Sequence, residues 1–149
     1  SENGSRRFFR RLREGIFDQQ DLAQRSLELH RYLATRAEEK TLVGYSNGAN
    51  LAAHTMMFHP QTASRAILLR PMLGWQPPQD ADLRHQHLLV LLGAQDTMVS
   101  PESGRQLAKA FRDLGAQVDV EELPGGHSLT SADIGLAQRW LNSAELKVS

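Results

Sequence analysis

Cysteine is absent from the 149-residue chain, which excludes a disulfide framework and any thiolate metal site. That absence suits the cytoplasm, the location expected for this protein. Charge of either sign in excess is also missing. Seventeen basic and 17 acidic residues give a formal net charge of zero, which argues against a general binder of nucleic acid or anionic membrane. No apolar run approaches the roughly 20 residues needed to span a bilayer, and no signal-like hydrophobic segment opens the chain. There is no internal repeat, low-complexity tract or interdomain linker. What remains is an apolar fraction of 40%, enough for the core of one globular domain spanning 1–149.

The pattern alternates helix and strand. A helix is expected over 19–38, capped by Asp18, with Leu22, Leu29 and Leu33 spaced to bury one side. A strand over 41–45, a helix over 47–58 and a strand over 66–70 follow, then a loop over 74–80 marked by Pro77 and Pro78. Next come a strand over 87–92, a helix over 101–114, a strand over 117–123 and a helix over 131–141. Pro101 suits a first helical turn, and Gly115 suits a helix C-terminus. This rhythm predicts an α/β domain with a parallel sheet of about four strands and right-handed crossovers.

One junction carries chemistry. Residues 44–48 read Gly-Tyr-Ser-Asn-Gly, between strand-like Thr41-Leu42-Val43 and a helix-like segment from Asn50. A G-x-S-x-G pentapeptide in that setting forms a tight strand-to-helix turn, where Gly44 and Gly48 avoid clashes and the Ser46 Oγ stands clear of the sheet edge. Ser46 is therefore the candidate nucleophile. Without its strand and helix the pentapeptide would be a weak signal. A hydroxyl needs a base at neutral pH, and a base needs an orienting group. Apolar Leu88-Leu89-Val90-Leu91-Leu92 runs into Gly93-Ala94-Gln95-Asp96, and Val118 to Leu123 empties into Pro124-Gly125-Gly126-His127. If both strands are parallel to the first, Asp96 and His127 reach the rim that bears Ser46, the rim on which α/β enzymes build their sites. The imidazole of His127 would take the Ser46 proton, and Asp96 would hold its tautomer. Asp133 and Asp80 are rival carboxylates, and a turn or capping role is the plainer reading of Asp96.

The stretches Arg7-Phe8-Phe9, Gly15-Ile16-Phe17-Asp18, Gly44 to Asn50, Gly93-Ala94-Gln95-Asp96 with Val99 and Pro101, and Pro124 to Thr130 together resemble the bacterial phospholipase/carboxylesterase family of the α/β-hydrolase fold. The resemblance covers the chain from about Arg6 to Leu141, the C-terminal two-thirds of that family. It implies a three-layer sandwich on a mostly parallel sheet, and it puts the nucleophile, acid and base on Ser46, Asp96 and His127. It also implies that Phe8 and Phe9 help wall the acyl or alcohol pocket.

The resemblance implies further strands at the start of that family's members, one ending in a His-Gly loop that supplies an oxyanion-hole amide, a stretch that residues 1–149 do not contain. The expectation is thus an N-terminally incomplete domain, a truncated or proteolysed product or part of a longer one. The Asn47 N–H follows the nucleophile and is the expected oxyanion donor; a second donor is unidentified. Loss of one donor costs roughly 100- to 1,000-fold in turnover. Four strands are fewer than this fold uses, so one sheet edge is expected to be bare and open to a homodimer or another association.

Other features have plainer readings. Arg6-Arg7-Phe8-Phe9-Arg10-Arg11-Leu12-Arg13 is basic enough for phosphates or lipid headgroups, but a solvated loop and helix face is the default. Met56, Met57, Met72 and Met98 are core fillers by default, with Met98 a substrate-binding candidate because it lies two residues beyond Asp96. Trp75 is expected to cover part of the site mouth. His85-Gln86-His87 sets two imidazoles on one strand face, a weak metal signal; His30, His54 and His59 look ordinary. The expected activity is a serine hydrolase acting on small or medium carboxylic esters, without metal or cofactor. Thioester hydrolysis or acyl transfer on the same triad, and a non-catalytic fragment that associates through its sheet edge, are the alternatives.

Overall fold

The computed structural model describes residues 11–13, 16–17, 19–35 and 39–148. Phe8, Phe9 and the expected cap Asp18 lie outside them. The element order is β1 (Arg11–Arg13), β2 (Ile16–Phe17), α1 (Gln19–Ala34), β3 (Thr41–Tyr45), α2 (Asn47–Phe58), β4 (Arg65–Leu69), β5 (His87–Gly93), α3 (Pro101–Asp113), β6 (Gln117–Leu123) and α4 (Ser131–Val148). β1 and β2 form a small antiparallel ribbon. The expectation of loop and helix face for this basic stretch is corrected there, since Arg11–Arg13 is strand.

β3 to β6 form one parallel sheet in the order β3-β4-β5-β6. Burial on both faces explains why β4 and β5 read as unbroken apolar runs. Side chains alternate across the pleat with period two. Ala66, Leu68, Leu88, Val90 and Leu92 join a core with α2 and α3, including Met56, Met57, Leu107 and Phe111. Ile67, Leu69, Leu89 and Leu91 form a second core under Leu136, Ala137, Trp140 and Leu141 of α4. The result is a three-layer α/β sandwich.

α2 touches the sheet and α1, and accordingly Ala49 through Met57 are all buried. α1 adds Leu22 to the core, and its buried Ser26 hydroxyl bonds Thr55 Oγ1 at 3.1 Å. α3 shows its signals openly: Ser100 Oγ accepts from the Ser103 N–H at 3.2 Å, Pro101 occupies the first turn, and Gly115 takes φ 104° just beyond the end.

Several boundaries depart from expectation. α1 ends at Ala34, short of 38. α4 runs on to Val148 because Ala144-Glu145-Leu146-Lys147 are strong helix formers. β4 covers Arg65–Leu69 because Arg70 leaves the strand at φ 57°. At the β3 edge, Val43 is 60% exposed, and an apolar groove of about 560 Å³ runs beside it, lined by Leu29, Leu42, Tyr45 and Leu51.

Candidate active site

The parallel register sets the rim. Tyr45 pairs with Leu69, Leu69 with Leu91 and Gly93 with Leu123, so residues just past these strands emerge together. Ser46, Arg70, Asp96 and His127 all follow such ends.

Ser46 sits at φ 56°, a conformation that a non-glycine residue adopts only under strain. Its N–H continues the ladder to Leu69 O at 2.8 Å, and its carbonyl receives the first α2 bond from Asn50 N at 3.0 Å. The turn is so tight that a Cβ on Gly44 would lie 2.4 Å from Gly48 O, which is why glycine precedes the strand's last residue.

Asp96 is nearly enclosed, with 1% of its side chain exposed. Its Oδ1 accepts the N–H groups of Met98 and Val99, each at 2.9 Å, and its Oδ2 meets His127 Nδ1 at 2.8 Å. Burial pushes this carboxyl up, but the Val99, His127 and Met98 hydrogen bonds outweigh burial and hold it below its ordinary range. A carboxylate only accepts, so Nδ1 carries the proton toward Asp96, which leaves Nε2 as the ring atom facing Ser46. That nitrogen lies 3.0 Å from Ser46 Oγ. The three residues chosen from sequence thus form a continuous hydrogen-bonded relay.

The loops bearing Asp96 and His127 are zipped together. Gln95 N donates to Gly125 O at 2.8 Å, and Gly125 N to Gln95 Oε1 at 2.6 Å. Gly125 needs its φ of 118°, and a Cβ on Gly93 would fall 2.3 Å from Gly126 O. Tyr45 OH donates to the His127 carbonyl at 3.0 Å.

The remaining candidates fall as follows. Asp133 is not beside His127: it is buried in an ion pair with Arg70 at 2.9 Å. Asp80 is exposed in its loop. Met98 is 54% exposed two residues past Asp96. The expectation for Trp75 is corrected, since the indole is buried and donates to Met57 Sδ at 3.4 Å, so it fills core instead of covering the mouth. β5 begins at His87, so His85 and His87 do not share a strand face; His85 Nε2 meets Pro60 O at 2.9 Å, and His87 Nε2 meets Asp119 at 2.8 Å. Among the described residues no group of three or more His, Asp or Glu side chains could hold a metal, and no helix is long and apolar enough to cross a membrane. Sequence reasoning missed Arg70. The available signal was an arginine closing an apolar strand, where a charge must find a partner. A second groove, about 700 Å³, is lined by Arg65, His87, Asp119 and Trp140 toward the strand beginnings, away from Ser46.

Known proteins share this arrangement of elements. The family model described as "Serine hydrolase (FSH1)" matches residues 1–133. The chain is 35% identical over 150 residues to the Bacillus subtilis (strain 168) protein named "Putative hydrolase MhqD", covering 96% of this chain and 75% of that one. The crystal structure of the Bacillus cereus carboxylesterase superposes with a TM-score of 0.91 at 32% identity, over 97% of this chain and 71% of that one. A carboxylesterase from Mesorhizobium loti gives 0.88 at 28%, over 95% and 71%. With the match running through the serine turn and the loops that carry Asp96 and His127, the chain belongs to the FSH1 serine hydrolase family and carries the α/β-hydrolase fold.

Proposed function

We propose that this hydrolase cleaves carboxylic esters through an acyl-enzyme on Ser46, with His127 as base and Asp96 as its orienting acid. The observation that carries the reading is the relay from Ser46 Oγ through His127 to Asp96, at 3.0 and 2.8 Å, on a strained turn. Ser46 Oγ attacks the ester carbonyl as its proton passes to His127 Nε2, forming a C–O bond and an oxyanion. The Asn47 N–H, following the nucleophile at the start of α2, points to oxyanion stabilisation. His127 returns the proton to the departing alkoxide, which leaves as the alcohol. Water then adds to the acyl carbonyl while His127 takes its proton. The Ser46–acyl bond breaks, the acid departs, and Ser46 regains its proton. Asp96, kept ionised, stabilises the imidazolium in both halves. Exposed Met98 lies beside this relay and would contact substrate.

A fluorophosphonate probe followed by peptide mass spectrometry tests the reading, together with hydrolysis of a short-chain nitrophenyl ester. An adduct on Ser46, and loss of turnover in Ser46→Ala, are expected. A folded chain that takes no adduct at Ser46, or full turnover in Ser46→Ala, refutes it.

A further inference from the structure

We propose that Arg70 is a positioning residue for His127, with Asp133 as its counter-ion; this rests on His127 being the base. A guanidinium has five N–H donors, and here all five meet acceptors. Nε donates to Gly126 O at 3.1 Å. Nη1 donates to Leu91 O at 3.3 Å and Asp133 Oδ1 at 2.9 Å. Nη2 donates to Ser128 O at 3.4 Å and Asp133 Oδ2 at 2.9 Å. The carbonyls of Gly126 and Ser128 bracket His127 on either side. One side chain therefore grips the base loop before and after the imidazole, and ties both points to β5.

Asp133 extends the grip. Its Oδ2 also accepts from Thr130 N at 2.9 Å and Thr130 Oγ1 at 3.0 Å, fastening the far end of the loop to the first turn of α4. Both charged side chains are fully enclosed, at 0% exposure. Arg70 itself holds φ 57°, and its N–H bonds Leu91 O at 2.9 Å. A strained backbone and a buried charge pair are both costly, and they coincide beneath the one loop that the reaction needs still. The loop contains adjacent Gly125 and Gly126, so its own backbone does little to restrict it. Lysine cannot substitute, because its three donors radiate from one atom and cannot span two carbonyls and a carboxylate.

The test is the double variant Arg70→Met/Asp133→Leu, which removes both charges together and leaves neither buried alone. Melting should stay cooperative while kcat falls about 30- to 100-fold and KM moves less than about threefold, the pattern of a misaimed base. The Ser46 labelling rate should fall in parallel, and the downfield proton resonance of His127 Nδ1–H against Asp96 should broaden or vanish. A folded double variant with wild-type kcat and an unchanged resonance overturns the proposal and leaves Arg70 a stability residue only. If the double variant does not fold, Arg70→Lys decides by the same readouts, since it keeps a cation beside Asp133 but has no Nε–H for Gly126. Full turnover in Ser46→Ala would defeat the underlying triad reading instead, and the resonance would still report on the Arg70 anchor.

Discussion

Acid sensitivity is built into α2 at a residue that takes no part in the relay. His54 is 6% exposed, stacked on Phe58 at 4.3 Å and edge-on to Trp75 at 5.2 Å, with no partner for its Nδ1 among the described residues. Burial first, and then the nearby His59, lower its pKa from 6.5 to about 4. A histidine depressed on folding binds protons more readily in the unfolded chain, so stability is present above the unfolded value and is lost as pH falls toward the folded one. Integrating between those values, the loss attributable to His54 from about pH 7 to about pH 4.5 is about 2 kcal/mol. Urea unfolding of wild type and His54→Leu at both pH values isolates this contribution, because the carboxylates titrate alike in the two proteins. The wild type should lose about 2 kcal/mol more than the variant over that interval. Equal losses would show that His54 is protonated in the folded chain, or that its site opens to water, and would refute the reasoning.

Asp96→Asn should lower kcat by about 1,000- to 10,000-fold with little change in melting, since the amide no longer selects the Nδ1–H tautomer; steady-state kinetics and calorimetry check it. Gly44→Ala would drive a methyl to 2.4 Å from Gly48 O. It should abolish fluorophosphonate labelling and destabilise the fold by about 1–3 kcal/mol by denaturant titration, and wild-type labelling would contradict the tight turn. Phe111→Ala empties a fully buried site between α3 and the sheet, and should cost about 3–5 kcal/mol in the same assay without selectively altering KM.

Much of the fold is legible because local and global preferences agree. β3, α2 and β6 fall on the expected residues, the apolar runs of β4 and β5 are those of doubly covered strands, and α3 carries its cap and its proline in plain view. The element ends that escaped are those where the alphabet is ambiguous: the helix formers that prolong α4, and the short β1–β2 ribbon, whose two strands are too brief for periodicity to register. Trp75 was misjudged because a tryptophan in a proline-rich loop gives no sign of which way its ring turns; contact with Met57 decided that.

By itself the sequence determined the serine turn, the two loops that follow strands, and their order along the chain, because glycines, apolar runs and caps act over a few residues. Whether Ser46, His127 and Asp96 meet depends on parallel register across β3 to β6, a relation between segments 31 to 81 residues apart. The Arg70–Asp133 pair belongs to the same category. Its partners lie 63 residues apart, and five donors find five acceptors only after β4, β5, the loop of His127 and α4 have packed. Local chemistry sets which groups are available to react; only tertiary packing, which excludes water and brings distant carbonyls to one guanidinium, sets where they are held.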